Sequence, residues 1–111
     1  MTVLGLRNAL GCDMLSGSDD TLANEVTNGY SGDLLSWVMG RAQAGDAWVT
    51  IMPNVNVAAV AALTDVACVI LAEGVKPDAT LLERAIKEEL PLFCSELSAY
   101  ELCVRISKAL E

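Results

Sequence analysis

The chain has no histidine among its 111 residues. That removes the commonest general base and the commonest metal ligand. It has no G-x-x-x-x-G-K-[ST] loop, no G-x-G-x-x-G turn and no G-x-S-x-G elbow. The usual signatures for phosphate cradling, dinucleotide binding and serine hydrolysis are therefore all missing. Four cysteines (Cys12, Cys68, Cys94 and Cys103) are scattered with no close pair. Structural zinc and iron–sulfur sites normally use close pairs, so no metal site is expected. Cys68 and Cys103 fall on apolar stripes and read as core thiols. Cys94, at a strand end, is the candidate for exposure.

Positive charge is scarce. Seven basic residues stand against fifteen acidic ones, for a net charge of −8 and a pI near 4.3. Residues 1–75 hold only Arg7 and Arg41 against eight carboxylates. No basic patch exists, which argues against a nucleic acid or an anionic membrane as partner. Long apolar runs are absent too. The longest, Val55–Leu63, is broken at Asn56 and is far below the roughly 20 residues that span a bilayer. The N-terminus lacks the basic start and apolar run of a signal peptide. These features predict a cytoplasmic protein with reduced thiols.

What is present is a core-forming composition, 53% hydrophobic, in a length that predicts one domain over residues 1–111. Val66–Leu71 is uniformly apolar and rich in β-branched residues, as in a strand covered on both faces. It runs through Gly74 and Pro77 to Asp78, a good N-cap for a helix over Ala79–Leu90. That helix has Leu81, Leu82, Ala85, Ile86 and Leu90 as its inner stripe and a Glu83–Lys87 pair on its wet face.

Similar units flank it. Ala47–Met52 reads as a strand before an apolar helix over Val55–Leu63. Pro91–Cys94 reads as a strand before a helix from Ser98 to about Leu110, with Leu102, Cys103, Ile106 and Leu110 inward. Ser98 and Glu101 would form its capping box. Upstream, the pattern predicts a helix over residues 2–10 capped by Thr2, a strand at Asp13–Leu15, a mobile polar turn at Ser16–Asp20 and a strand over Glu25–Tyr30. A further helix follows, capped by Asp33 and ending near Ala44 with Gly45 at C′. Alternation with short connections implies an α/β fold: three layers around a mostly parallel sheet with helical crossovers.

Ligands of such sheets bind beyond the carboxyl ends of the strands. The residues there are Ser31, Gly32, Asp33, Asn54, Asn56, Glu73, Gly74, Ser95 and Glu96. Each also has an ordinary explanation as a cap, a turn residue or a surface carboxylate. Nothing in the spacing puts Glu73 and Glu96 at a working distance for acid–base chemistry, so no catalytic residue is named. Asn56 is the least easily explained by capping.

The run Tyr30–Met39, then Gly45–Thr50, then Ile70–Gly74 and Ser95–Glu101, resembles the short stand-alone DRTGG-domain proteins over nearly the whole chain. Leu71-Ala72-Glu73-Gly74 stands where the eponymous Asp-Arg-Thr-Gly-Gly string would be. The resemblance implies an α/β domain like the N-terminal domain of HPr kinase/phosphorylase. It implies a dimeric regulatory role and a protein partner in a redox or iron-hydrogenase system, while the missing motifs lead to the expectation of no cofactor. The names "serine kinase" and "iron–sulfur binding hydrogenase" attach to some short members, and the residues here support neither. The expected function is a non-catalytic regulatory or interaction module. The alternative is a sensor binding a nucleotide or other anion at the strand-end edge. A partner surface would combine that edge with the Trp37/Met39 region, against core packing as the default for a tryptophan.

Overall fold

The computed structural model describes residues 1–111. Six helices and five strands alternate in the order α1 (Val3–Leu10), β1 (Asp13–Ser16), α2 (Asp19–Leu22), β2 (Asn28–Ser31), α3 (Leu35–Arg41), β3 (Asp46–Thr50), α4 (Asn56–Thr64), β4 (Cys68–Leu71), α5 (Ala79–Lys87), β5 (Leu92–Cys94) and α6 (Ala99–Ala109). The strands form one sheet in the order β1-β5-β4-β3-β2. Four are parallel, and β1 alone runs antiparallel, against β5.

The mostly parallel α/β architecture follows from side-chain alternation. Along β4, Cys68 and Ile70 face one core while Val69 and Leu71 face the other. The first core is closed by Val3, Leu6 and Leu10 of α1 and Leu102 and Ile106 of α6. The second is closed by Val38 of α3, Val57, Ala58 and Ala61 of α4, and Leu81 and Ala85 of α5. A strand in the middle of five, covered on both faces, has to be apolar throughout. All four residues of β4 are fully buried. No helix is long and apolar enough to cross a membrane.

Several local expectations are corrected. Ser16–Asp20 is not a loose turn. Ser16 belongs to β1 and donates its hydroxyl to the Leu90 carbonyl at 2.6 Å. Ser18 and Thr21 then cap α2 reciprocally. The second strand is Asn28–Ser31 rather than Glu25–Tyr30, because pairing with β3 outweighs the low strand propensity of Asn28 and Gly29. Helix α3 stops at Arg41, and Gly45 instead takes φ 86° in the turn before β3. Helix α5 stops at Lys87, with Glu89 left-handed at φ 58°. Ile86 is 58% exposed, not inward, since α5 packs through the narrower row of Leu81 and Ala85. The ion pair on α5 joins Arg84 to Glu88 rather than Glu83 to Lys87. At α6 the capping box is half made: Ser98 Oγ accepts from the Glu101 N–H, but the Glu101 carboxylate pairs with Arg105.

Candidate functional site

The parallel order β5-β4-β3-β2 sets the turns after four strands side by side, so the predicted site residues share one edge of the sheet. Within that edge they fall into two clusters.

The first joins the turns after β4 and β5. Ala72 to Val75 form a tight turn closed by the Val75 N–H and the Ala72 carbonyl. Glu73 and Gly74 at its centre both have positive φ, 62° and 74°. Gly74 suits that conformation, whereas Glu73 carries the strain of an L side chain there. The Glu73 N–H donates to the Leu97 carbonyl and the Gly74 N–H to the Ser95 carbonyl, each at 2.9 Å. The Glu73 carboxylate accepts from the Ala99 N–H at 3.3 Å, at the start of α6. Gly74 lies so close to Glu96 that a Cβ would sit 2.6 Å from Oε2. Ser95 Oγ accepts from the Leu97 N–H. These contacts bring Glu73, Gly74, Ser95 and Glu96 together.

The second cluster joins the ends of β2 and β3. Asp33 does not cap α3: Leu34 holds the N-cap position and no side chain caps that helix. Asp33 Oδ1 instead accepts from the Thr50 hydroxyl at 2.8 Å and the Ile51 N–H at 2.9 Å. Gly32 takes the indole N–H of buried Trp48 on its carbonyl. Asn54 Oδ1 accepts from the Asn56 N–H, an Asx turn entering α4, and Asn56 itself is exposed. The Asp78 N–H donates to the Pro53 carbonyl, tying the turn after β3 to the loop after β4. Asp78 occupies the N-cap position of α5 without a side-chain capping bond. Ser31, the last residue of β2 and next to Gly32, is exposed.

The thiols are arranged differently from the sequence expectation. Cys94 is buried, 2% exposed, because β1 returns to pair alongside it. Cys103 is the half-buried one. Burial pushes the Cys12 thiol up to about 11, with further upward contributions from Cys94 and Asp13. Burial pushes Cys68 up to about 12. Both are protonated and unreactive at neutral pH. No group of three or more Cys, Asp or Glu side chains is placed to hold a metal ion.

Two features, Lys76 and a cavity beside β2, went unseen in the sequence, and a third, the Trp37/Met39 surface, was named there against core packing as the default. Lys76, just past the Glu73–Gly74 turn, brings its ammonium to 3.7 Å from Cys94 Sγ; its place directly after that turn was the available signal. Trp37 is 56% exposed, with the Arg41 guanidinium 3.9 Å from the ring centroid, so core packing is the wrong default for it. With Leu34 and Met39, also exposed, it makes the α3 region apolar on the outside. Lastly, a cavity of about 390 Å³ lies off the strand-end edge, between β2 and α6.

Comparison with known proteins agrees with the fold. Residues 56–110, from the start of α4 to the end of α6, match the family described as HPr Serine kinase N terminus. No curated protein matches the chain in sequence. Among solved structures it is similar to the CBS and DRTGG domains of the regulatory region of Clostridium perfringens pyrophosphatase, complexed with the activator diadenosine tetraphosphate. The TM-score is 0.71 at 11% identity, covering 98% of this chain. The chain spans about half of that one, 47% of its length. Residues 56–110 thus carry the sequence pattern of that family, and nearly the whole chain shares its fold with a regulatory region that contains a DRTGG domain.

Proposed function

We propose that this domain is a regulatory module with no catalytic activity of its own, acting by protein contact as a homodimer. The observation that carries the reading is how the strand-end edge spends its polar groups. Asp33, Asn54, Glu73 and Ser95 all accept hydrogen bonds from the chain itself. Apolar Leu34, Trp37 and Met39 meanwhile stand outside. An edge closed in this way suits a rigid scaffold, and an uncovered apolar surface suits a partner. The family resemblance adds the setting, a cytoplasmic redox or iron-hydrogenase system. Four unpaired cysteines are compatible with a reducing compartment. Light scattering tests the dimer. A mass of twice 11.7 kDa that falls to 11.7 kDa in Trp37→Ala supports it, and a monomer mass for the wild type at micromolar concentration refutes it.

A second reading is supported by the similar pyrophosphatase region, which is complexed with a dinucleotide activator. In it the domain senses a nucleotide at Ser31, Gly32, Asp33, Asn54, Asn56, Glu73, Gly74, Ser95 and Glu96, with Lys76 supplying positive charge. A net charge of −8 opposes a polyanion, so the lysine is essential to this reading. A ligand that binds only the folded state must raise the melting temperature, by an amount equivalent to about 2.7 kcal/mol at a hundredfold excess over Kd. Diadenosine tetraphosphate should do so for the wild type and less for Lys76→Ala. No shift with it or with common nucleotides rejects the sensor.

A further inference from the structure

The sheet ends differently at its two edges. At β1, Asp13 and an irregular register between Met14 and Ser16 interrupt the edge. These are the devices by which edge strands avoid unwanted pairing. At β2, the sequence Asn28-Gly29-Tyr30-Ser31 has no charge and no proline, and its register with β3 is unbroken. The Gly32 N–H donates to the Val49 carbonyl, and Ser31 stands opposite Val49. Alternate residues of a parallel strand turn their N–H and C=O groups to the same neighbour. Tyr30 and Gly32 therefore bond to β3, while Gly29 and Ser31 aim theirs at solvent. Both are exposed.

The cavity of about 390 Å³ lies along this edge. Ala47 and Val49 form its floor, and Cys103, Ile106 and Leu110 of α6 form its wall. Gly29 lines it without a side chain; a Cβ there would make ordinary contact with Ile106 at 3.5 Å. A strand laid along β2 would turn alternate side chains to this face, and one branched aliphatic side chain would enter the cavity. Acidic charge predominates around it, although Glu25 is paired with the Met1 ammonium and Lys108 lies on the neighbouring face beside Glu111. Glu25 precedes β2, Asp33 follows it, Glu111 lines the cavity mouth, and no lysine or arginine lines the cavity.

We propose that β2 and the cavity beneath it form a docking site for an extended peptide segment in which apolar residues alternate with lysine or arginine. The segment adds a sixth strand through the backbone of Gly29 and Ser31. Local charge complementarity selects this occupant over a second copy, which would set its own Asp33 and Glu111 against the same residues along this edge. The site is separate from the α3 surface and does not depend on the nucleotide reading.

The test is a titration of the isotope-labelled protein with a capped peptide of alternating lysine and valine. Its controls are the alternating glutamate–valine peptide and a lysine–glycine peptide. Slowed amide exchange at Gly29 and Ser31 is expected with the first peptide alone. Ser31→Pro removes an outward N–H at a place where an edge strand tolerates proline. It should weaken binding about tenfold, and Glu111→Gln about threefold with a shallower salt dependence. If Ser31→Pro does not fold, the wild-type exchange data decide. The proposal is overturned if the lysine–valine peptide protects neither amide, or if the glutamate–valine peptide binds as well. It is also overturned if both amides are already protected without peptide in a species of doubled mass, which would make the occupant a second copy.

Discussion

Asp33→Ser should destabilise the domain by about 2 kcal/mol, and Asp33→Asn by less than half as much. Asp33 Oδ1 receives two hydrogen bonds from the end of β3, one from the Thr50 hydroxyl and one from the Ile51 N–H. A hydrogen bond to a charged group is worth about 1.5–3 kcal/mol net. Asp33 and Ile51 are open to water, so roughly 1 kcal/mol each is the fitting value. Thr50 is buried, and its hydroxyl donates to Asp33. Serine is as good an N-cap as aspartate, but its hydroxyl is one bond too short to reach β3. Asparagine keeps a carbonyl oxygen where Oδ1 lies and loses only the charge. Urea unfolding followed by tryptophan emission is the suitable assay, because the Trp48 indole donates to the Gly32 carbonyl, one residue from the substitution. For a domain of this size, about 2 kcal/mol corresponds to a fall in Tm of roughly 8 °C. Asp33→Ser matching the wild type, or exceeding Asp33→Asn in stability, would restore the capping role and refute the strand-linking one.

Gly74→Ala should cost about 1–2 kcal/mol from its positive φ, and adding Glu96→Ala should recover little, since the Glu96 carboxylate is an exposed side-chain end that can swing away; full recovery in urea unfolding would place the cost in the contact instead. A colorimetric thiol reagent should modify Cys103 first in the native protein, with Cys12, Cys68 and Cys94 reacting only on unfolding; more than one fast thiol contradicts the packing. Stability should fall as pH rises from about 9 toward 12. The thiols of Cys12 and Cys68 ionise in the unfolded chain near 9 but are held protonated in the fold to about 11 and 12, so their contribution is complete below that window and lost across it. Cys68→Ala should flatten the upper part of the pH–Tm curve, and an unchanged curve would deny the thiol that role.

Most of the layer arrangement could be read from local pattern, because it depends on which faces are apolar. Val66–Leu71 had no polar face to give to solvent, and its core lies at the centre of the sheet as β4. The readings that failed each depended on something distant. Asp33 precedes a helix and looks like a cap, but its partners at Thr50 and Ile51 come from sheet register. Cys94 ends a strand beside a turn and looks accessible, but β1 arrives from the far end of the chain to cover it. Ile86 repeats with helical spacing, yet the contact of α5 is narrower than its apolar stripe. At the site, strand alternation was enough to bring Glu73 and Gly74 together with Ser95 and Glu96. It could not show that those groups were already bonded to the chain. The cavity beside β2 was hidden because its walls lie more than 70 residues apart, at Asn28–Ser31 and Cys103–Leu110. The one local sign was an edge strand without lysine or proline.

The antiparallel strand β1 also sets an order of assembly. Its one ladder neighbour is β5, so Asp13–Ser16 pairs with Leu92–Cys94 across most of the chain. Helix α1 packs on α6, which is made later still. A ribosome releases residues 1–16 early, and they must wait, apolar face uncovered, until the last strand and helix emerge. A chain halted before Leu92 would leave β4 as a bare edge, four buried residues offered to whatever strand comes first.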